Sequence, residues 1–290
     1  MNVAIIIPSL NAPTLARALA ALAAQTDTPD EIIVVGRDEA GTLAAFPTVR
    51  FIDTGAPVCA ARARNLGMAA ATGELLLLLD ADCVPRPDWL ARHRARHAAG
   101  ETVVGGAVEL RGSNYWAQSD NVSMFHEFVP GLPPGPRLLL PTLNLSLRRE
   151  VFESVGGMDE SFPGAAAEDA DWTIRIRRGG RRLWFDPAAV VAHAPARTTP
   201  RDVVRHWRNL GHNAVRVRLR YPTEFGTPGG ARRAWWWRLL SPLIAARVTA
   251  GVYAKRPLWP HWPSLPVVYA TKIIYCLGAA RAIDSGFATQ

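Results

Sequence analysis

Cysteine is scarce in this chain. Cys59, Cys83 and Cys276 lie far apart among 290 residues, and none sits in a CxxC or CxxH pattern. That spacing excludes a disulfide framework and a cysteine-built zinc site, and it points to reduced thiols in a reducing compartment. Long apolar runs are missing as well. None reaches 18 residues without a charge, which argues against a polytopic membrane protein. The start, MNVAIIIPSLN, has neither a basic n-region nor an apolar stretch of signal length, so the expected compartment is the cytoplasm. No internal repeat and no low-complexity tract interrupts the chain.

What is present is ample apolar material, 49% of the residues, which excludes disorder of the whole chain and is enough for a large core. The net charge of +8 is unevenly placed. Residues 1–200 hold 19 arginines against 22 acids, whereas residues 201–256 hold 12 basic residues against only Asp202 and Glu224. A slightly acidic body thus carries a strongly basic segment suited to an anionic partner.

Periodicity gives the architecture. Apolar runs at 3–10, 31–35, 49–55 and 74–82 predict strands, with Pro8 stopping the first and Gly36 ending the second. Residues 14–25 and 59–71 have helical spacing. Continuous apolar strands alternating with helices imply an α/β fold with a mostly parallel sheet covered on both faces, whose ligands sit at the carboxyl ends of the strands. Gly and Pro crowd 105–141 and predict a long loop. Beyond it, a strand leads into a helix at 149–155 stopped by Gly156-Gly157, a helix follows over 167–180, and 181–193 returns to strand. From 200 onward three helices are expected, at 200–222, 231–257 and 265–283. They are apolar, Trp-rich and basic together. The chain therefore divides into a body, 1–200, and a helical, amphipathic appendage, 201–290.

Two acidic groups carry the chemistry. Asp80-Ala81-Asp82 ends an all-leucine strand, and two close carboxylates repel unless a cation or protons compensate. Mg²⁺ or Mn²⁺ would do so and would bring phosphates with them; a solvated loop start is the plain alternative. Glu168-Asp169, followed by Asp171-Trp172, heads a helix. Acids there complement the helix dipole, but three acids in four residues leave one to accept a proton from a hydroxyl.

These pieces together resemble the inverting glycosyltransferases of family 2, which have the GT-A nucleotide-diphospho-sugar transferase fold. The likeness runs from residue 3 to about 195, through IIIPSLN, EIIVV, ARNLGMAAATGELLLLLDAD, LNLSLRREVFESVGGMDE, EDADWTIRIRRGG and VVAH, in that order. It implies a nucleotide cradle at Pro8 and Ser9. It implies a DxD motif in which Asp82 is the direct metal ligand and Asp80, with Ala81 between, lies nearer the ribose or a metal-bound water. Asp169 becomes the catalytic base with Glu168 beside it, and Asn144 and Trp172 shape the sugar and acceptor pocket. His193 either completes the metal site or is a satisfied strand-end histidine. Arg62, Arg64 and Asn65 lie near the pocket, where Arg64 would meet donor phosphate or cover the sheet edge.

One stretch departs from the family pattern. Where an acid pair usually meets the base, this chain reads Val35-Gly36-Arg37-Asp38. Asp38 or Asp53 would substitute, and Arg37 would face phosphate, which leaves UDP, GDP and dTDP sugars open. The implied activity is metal-dependent transfer, with inversion, from a nucleoside-diphosphate sugar to a hydroxyl of a lipid-linked or polysaccharide acceptor. A nucleotidyltransferase-like enzyme would want a Gly-rich basic loop after the first strand, and PSLNAPT is not one. A binding-only relative would not need Asp80, Asp82 and Asp169 together.

For the appendage, Trp235, Trp236 and Trp237 beside Arg232, Arg233 and Arg238 predict an anchor on the inner face of an anionic membrane. A homodimer face is compatible with it, and nucleic acid is not expected. Arg205, His206 and Arg208 either close over the diphosphate or form a solvated face.

Overall fold

The computed structural model describes residues 1–163 and 166–289. They form two compact units: Met1–Glu109 with Pro133–His193, and Leu110–Leu132 with Ala194–Gln290. In chain order the elements up to the end of the sheet are β1 (Val3–Leu10), α1 (Leu15–Ala23), β2 (Glu31–Arg37), β3 (Arg50–Asp53), α2 (Ala60–Ala70), β4 (Leu75–Leu79) and β5 (Cys83–Pro85). They continue with α3 (Trp89–Ala98), β6 (Val103–Leu110), α4 (Tyr115–Phe125), β7 (Gly135–Pro136), β8 (Asn144–Arg148), α5 (Arg149–Val155), α6 (Glu168–Arg178) and β9 (Leu183–His193). After them come α7 (Pro200–Arg220), the single turn α8 (Pro222–Phe225), α9 (Ala234–Tyr253) and α10 (Leu265–Asp284).

The first unit is built on one sheet in the order β3-β2-β1-β4-β8-β6-β9-β5, with β7 against β9. The run β3-β2-β1-β4 is parallel, while β8 is antiparallel to both β4 and β6, and β5 to β9. The sheet is therefore mixed: a parallel half carries the first strands and an antiparallel half completes it. Val3–Ile7 and Leu75–Leu79 are fully buried, as strands covered on both faces must be. Each such leucine contributes about 2 kcal/mol before entropy is counted. Gly67 lets α2 lie against β1, since a Cβ there would meet Ile6 Cγ2 at 2.3 Å.

Pro8 does not stop β1. Pairing with β4 ends at Ile6↔Leu78, whereas pairing with β2 runs on to Leu10↔Arg37. Beyond Ile6 the strand has a neighbour on one side only, and a residue without an N–H is tolerated on such an edge. Gly36 likewise lies inside β2. At φ +138° it faces Ser9, whose carbonyl oxygen would be 1.9 Å from any Cβ.

The second unit is helical. α7 and α10 touch backbone to backbone: a Cβ on Gly211 would lie 2.0 Å from the Tyr275 carbonyl, and one on Gly278 would lie 2.2 Å from the Arg208 carbonyl. Trp237 of α9 packs with Cys276, Ala279 and Ala280 of α10. α4 adds Val122 to a cluster with Val252, Leu258 and Val268. Buried polar groups also knit this unit. Asp120 accepts from Arg197 Nε at 2.6 Å and Trp207 Nε1 at 2.7 Å. Lys272 donates to the Ser123 carbonyl at 2.8 Å and lies 4.1 Å from the Trp207 ring centroid. Burial pushes its ammonium down to about 7.

Two expectations change here. The long loop predicted at 105–141 contains α4, whose Ser119, Asp120, Asn121 and Ser123 are buried. A helix whose inner face is polar leaves no apolar period to read. The division between units falls after His193 rather than at 200, and 110–132 belongs with the C-terminal helices. Among the described residues, one helical stretch, Arg256–Asp284, is long and apolar enough to cross a membrane, and half of its most apolar 18 residues are buried within the protein.

Candidate active site

The site grows from the end of β4. Asp80 follows the last leucine, and its carbonyl accepts from the Cys83 N–H at 3.0 Å, so Asp80-Ala81-Asp82-Cys83 is a tight turn. Both carboxylates leave the sheet at its ligand-binding edge, while Ala81 is buried in the turn. The register Cys83↔His193 then brings the last residue of β9 beside Asp82. His193 Nε2 lies 3.3 Å from Asp82 Oδ2.

α6 supplies the second acidic group. Ala167, just before it, takes a left-handed φ of +73°, a conformation that costs a non-glycine residue about 1 kcal/mol or more. Strain of this kind persists where surrounding structure holds it, and here it sets Glu168 and Asp169 at the helix head. Glu168 is buried and Asp169 half-buried. Burial, with the neighbouring Glu168 carboxylate acting in the same direction, pushes Asp169 up to about 7. The Arg64 guanidinium opposes that rise.

Arg64 joins the two groups. Only 3% exposed, it donates from Nη2 to Asp80 Oδ1 at 2.7 Å and from Nη1 to Glu168 Oε1 at 3.0 Å. This corrects its placing against donor phosphate: it is a strut between the Asp80-Ala81-Asp82 turn and the acids at the head of α6. The sequence did contain the signal. Ala61, Arg64, Gly67 and Met68 recur at helical spacing, and all are buried, so Arg64 belongs to the inner face of α2. Its neighbours act elsewhere, with Arg62 exposed and Asn65 clamping both the N–H and the carbonyl of Met158.

Asp80 is thus committed to Arg64. Among the described residues no three His, Cys, Asp or Glu side chains cluster as a metal site, so the trio Asp80, Asp82 and His193 reduces to the pair Asp82 and His193. That pair fits a divalent cation. A carboxylate and an imidazole about 3 Å apart match two adjacent ligands of one ion, and mixed O/N donors suit Mn²⁺. Within the same site Glu168 Oε2 and Arg64 Nε are buried and bond to nothing among the described residues. Orphaned polar atoms in an otherwise paired cluster mark where a polar ligand belongs.

Two further residues leave the site. Asn144 is fully buried and saturated: Nδ2 donates to the carbonyls of Ala107 and Ala189, both at 2.9 Å, and Oδ1 accepts from Trp89 Nε1 at 2.8 Å. His93 Nε2 lies 3.1 Å from the same oxygen. Asn144 is a core fastener, not a pocket residue. Trp172 is also fully buried, donating to the Gly156 carbonyl at 2.8 Å, and packs the interior. Asp171 is spent on Arg175, at 2.9 Å one turn along.

The nucleotide end is more self-contained than its sequence implies. Asp38 caps a turn, accepting from the N–H groups of Thr42 and Leu43 at 3.0 and 2.8 Å. Arg37 Nη1 reaches Asp53 Oδ1 at 3.2 Å and the Gly55 carbonyl at 2.7 Å. These three residues stand at the carboxyl ends of β2 and β3 but are engaged with one another or with local backbone. Half-buried Pro8 and buried Ser9 lie at the matching end of β1, beside Gly36.

The sequence profile described as glycosyl transferase family 2 matches residues 4–156. The chain belongs to that family. It is 31% identical over 186 residues to the pre-mycofactocin glycosyltransferase of Mycobacterium tuberculosis, covering 60% of this chain and 39% of that one. It is 30% identical over 158 residues to glycosyltransferase AglE of Haloferax volcanii, covering 53% and 50%. The chain thus spans half or less of the length of these curated relatives. Among solved structures it is similar to the mannosyltransferase PcManGT from Pyrobaculum calidifontis in complex with GDP-Man and Mn²⁺, at a TM-score of 0.66 and 17% identity over 97% of this chain and 86% of that one. GalNAc-T7, solved with UDP, GalNAc and Mn²⁺, gives 0.54 and 16% over 72% and 48%. At these identities the likeness establishes the GT-A fold of this family 2 chain.

Proposed function

We propose that this family 2 protein transfers a sugar, with inversion, from a nucleoside-diphosphate sugar to a hydroxyl of a lipid-linked or polysaccharide acceptor. The observation that carries the reading is Asp169: a half-buried carboxylate with a pKa of about 7, at the head of α6 and linked through Glu168 and Arg64 to the DxD turn. A general base works best when its pKa lies near the operating pH. Asp169 takes the acceptor hydroxyl proton as that oxygen bonds to the anomeric carbon. The bond from that carbon to the diphosphate oxygen breaks, and its electron pair leaves with the nucleotide. Attack opposite the leaving group inverts the centre. Arg64 holds Asp80 and Glu168 in fixed rotamers, so the donor end and the base end keep one geometry. Asp82 and His193 are the residues to hold a divalent cation, which when bound supplies positive charge to the departing diphosphate. Mn²⁺ in the two neighbouring structures supports that choice.

The second unit supports placement at the inner face of an anionic membrane. α9 exposes Trp235, Leu239 and Leu243 one turn apart, the last 69% exposed, beside exposed Arg238 and Arg247. Trp259 and Trp262 add aromatic surface. Rings and aliphatic groups interleaved with arginine suit a headgroup interface. A second copy of the chain is the other occupant this face admits, and mass measurement in solution distinguishes the two. The deciding experiment for the activity is a thermal-shift screen of GDP, UDP and dTDP with and without Mn²⁺, followed by donor turnover. Stabilisation by none of the three nucleotides refutes the reading.

A further inference from the structure

The second unit contains a cleft of about 450 Å³ lined by Pro200, Arg201, Val204, Arg205, Arg208, Asn209 and Arg281. Its construction is specific. Arg201, Arg205 and Arg208 recur at helical spacing along one face of α7. Arg281 comes from α10, one turn beyond Gly278, where the two helices touch at the Arg208 carbonyl. Four guanidinium groups therefore face one space, and no carboxylate lines it. Asp202, the nearest acid in sequence, approaches Arg205 only to 3.8 Å and takes the Thr199 hydroxyl at 2.6 Å. Arg201, Arg208 and Arg281 have no acidic partner among the described residues.

We infer that this cleft binds a phosphoryl group, as a phosphomonoester or a diphosphate. Four like charges around one space repel one another, and an oxyanion in their midst reverses the sign of that interaction. Guanidinium forks match phosphate oxygens two at a time, which favours phosphate over a carboxylate when several converge. Asn209 adds an amide donor. Pro200 and Val204 give one apolar wall, suited to the carbon side of a phosphate ester. The positive end of the α7 dipole lies at Pro200 and Arg201, in the same lining. The ligand is either an anionic lipid headgroup or a free phosphate. Only the choice between these sources rests on the membrane reading above.

The test uses the full chain and three probes: inorganic pyrophosphate, inorganic phosphate, and phosphatidylcholine vesicles carrying about one-fifth phosphatidate or, at matched surface charge, phosphatidylglycerol. R208A/R281A is compared with R17A/R92A, which removes the same charge from exposed positions of the first unit. Pyrophosphate should stabilise the wild type and R17A/R92A, and its affinity should fall at least about tenfold in R208A/R281A. Preference for phosphatidate over phosphatidylglycerol, lost only in R208A/R281A, assigns the lipid source. Binding of soluble phosphates without vesicle binding assigns the free source, and then the membrane reading fails while the cleft stands. Equal effects of the two double variants on every probe overturn the inference. So does loss of nucleoside-diphosphate stabilisation in R208A/R281A, which would give the cleft to the sugar donor.

Discussion

Glu168→Gln should lower the pH at which the enzyme becomes active. With Asp169 as the proposed base it has to be ionised to accept a proton, so kcat/KM should rise with pH through its pKa, about 7. Two influences hold it there: burial first, then the adjacent Glu168 charge. Glutamine keeps the shape of Glu168 and a carbonyl oxygen for Arg64 Nη1, which now sits 3.0 Å from Oε1. It removes the charge. A neighbouring like charge is worth about 1–2 pKa units in a buried pair, or about 1.4–2.7 kcal/mol. The acid limb should therefore move from about pH 7 to between about 5 and 6. Arg64→Met should move it the other way, up by about 1 unit, because the guanidinium lowers the pKa of Asp169. Arg64→Lys keeps the charge and should hold the limb near its original position. Initial rates of transfer, or of donor hydrolysis, between pH 5 and 9 read all three. An unmoved limb in E168Q, or shifts of the same sign in E168Q and R64M, would refute the electrostatic account.

Other expectations can be checked alongside. Asp169→Asn should cut transfer by about 10²–10⁴ while donor affinity stays within about twofold. The same variant should raise the thermal midpoint more at pH 8 than at pH 4, because the cost of a raised carboxyl pKa is complete above about 7 and shrinks as pH falls from there toward the ordinary value of 3.8. His193→Ala and Asp82→Asn should each abolish the Mn²⁺-dependent part of nucleotide stabilisation, read by thermal shift; retention in both would separate the pair from the cation. Asn144→Ala should destabilise by about 3 kcal/mol or more in urea, since it leaves Trp89 Nε1 and two buried carbonyls unpaired. Its KM for donor, measured on folded protein, should not change, and a large rise would return Asn144 to the pocket. Leu239→Ser with Leu243→Ser should release the chain from anionic vesicles while sparing donor hydrolysis; unchanged sedimentation with vesicles would move the contact off α9.

The strands and helices of the body were readable because their side chains repeat at the period of the element that holds them. Leu75–Leu79 could only be a doubly covered strand, and Gly156, at φ +79°, ends α5 where its sequence places a stop. Two kinds of feature escaped. α4 buries serines, asparagine and aspartate, so its inner face looks like loop until the long-range partners Arg197, Trp207 and Thr271 are known. Asn144 and Arg64 have the residue types of ligand-binding groups; nothing local tells an Asn144 saturated by distant backbone from one turned to a substrate, and helical spacing shows Arg64 facing inward without naming its partners. Asn144 bonds residues 37 and 45 positions away, and Arg64 bonds one 104 away. Position along the chain placed Asp80-Ala81-Asp82 at a strand end and Glu168-Asp169 at a helix head, where the structure has them. The strut between them was visible only as an inward-facing arginine whose partner lay elsewhere.

The split make-up of the second unit has a consequence for synthesis. Ser123 meets Thr271 across 148 residues, and Asp120 meets Trp207 across 87. On a ribosome adding about 5–20 residues per second, the 110–132 segment is made roughly 7–28 s before its last partner, Thr271. For that interval a helix whose Asp120 and Val122 are buried in the folded unit lacks the partners that bury them. Truncation after His193 would make this state permanent rather than yield the first unit alone. The first unit by itself lacks both segments, 110–132 and the chain after His193.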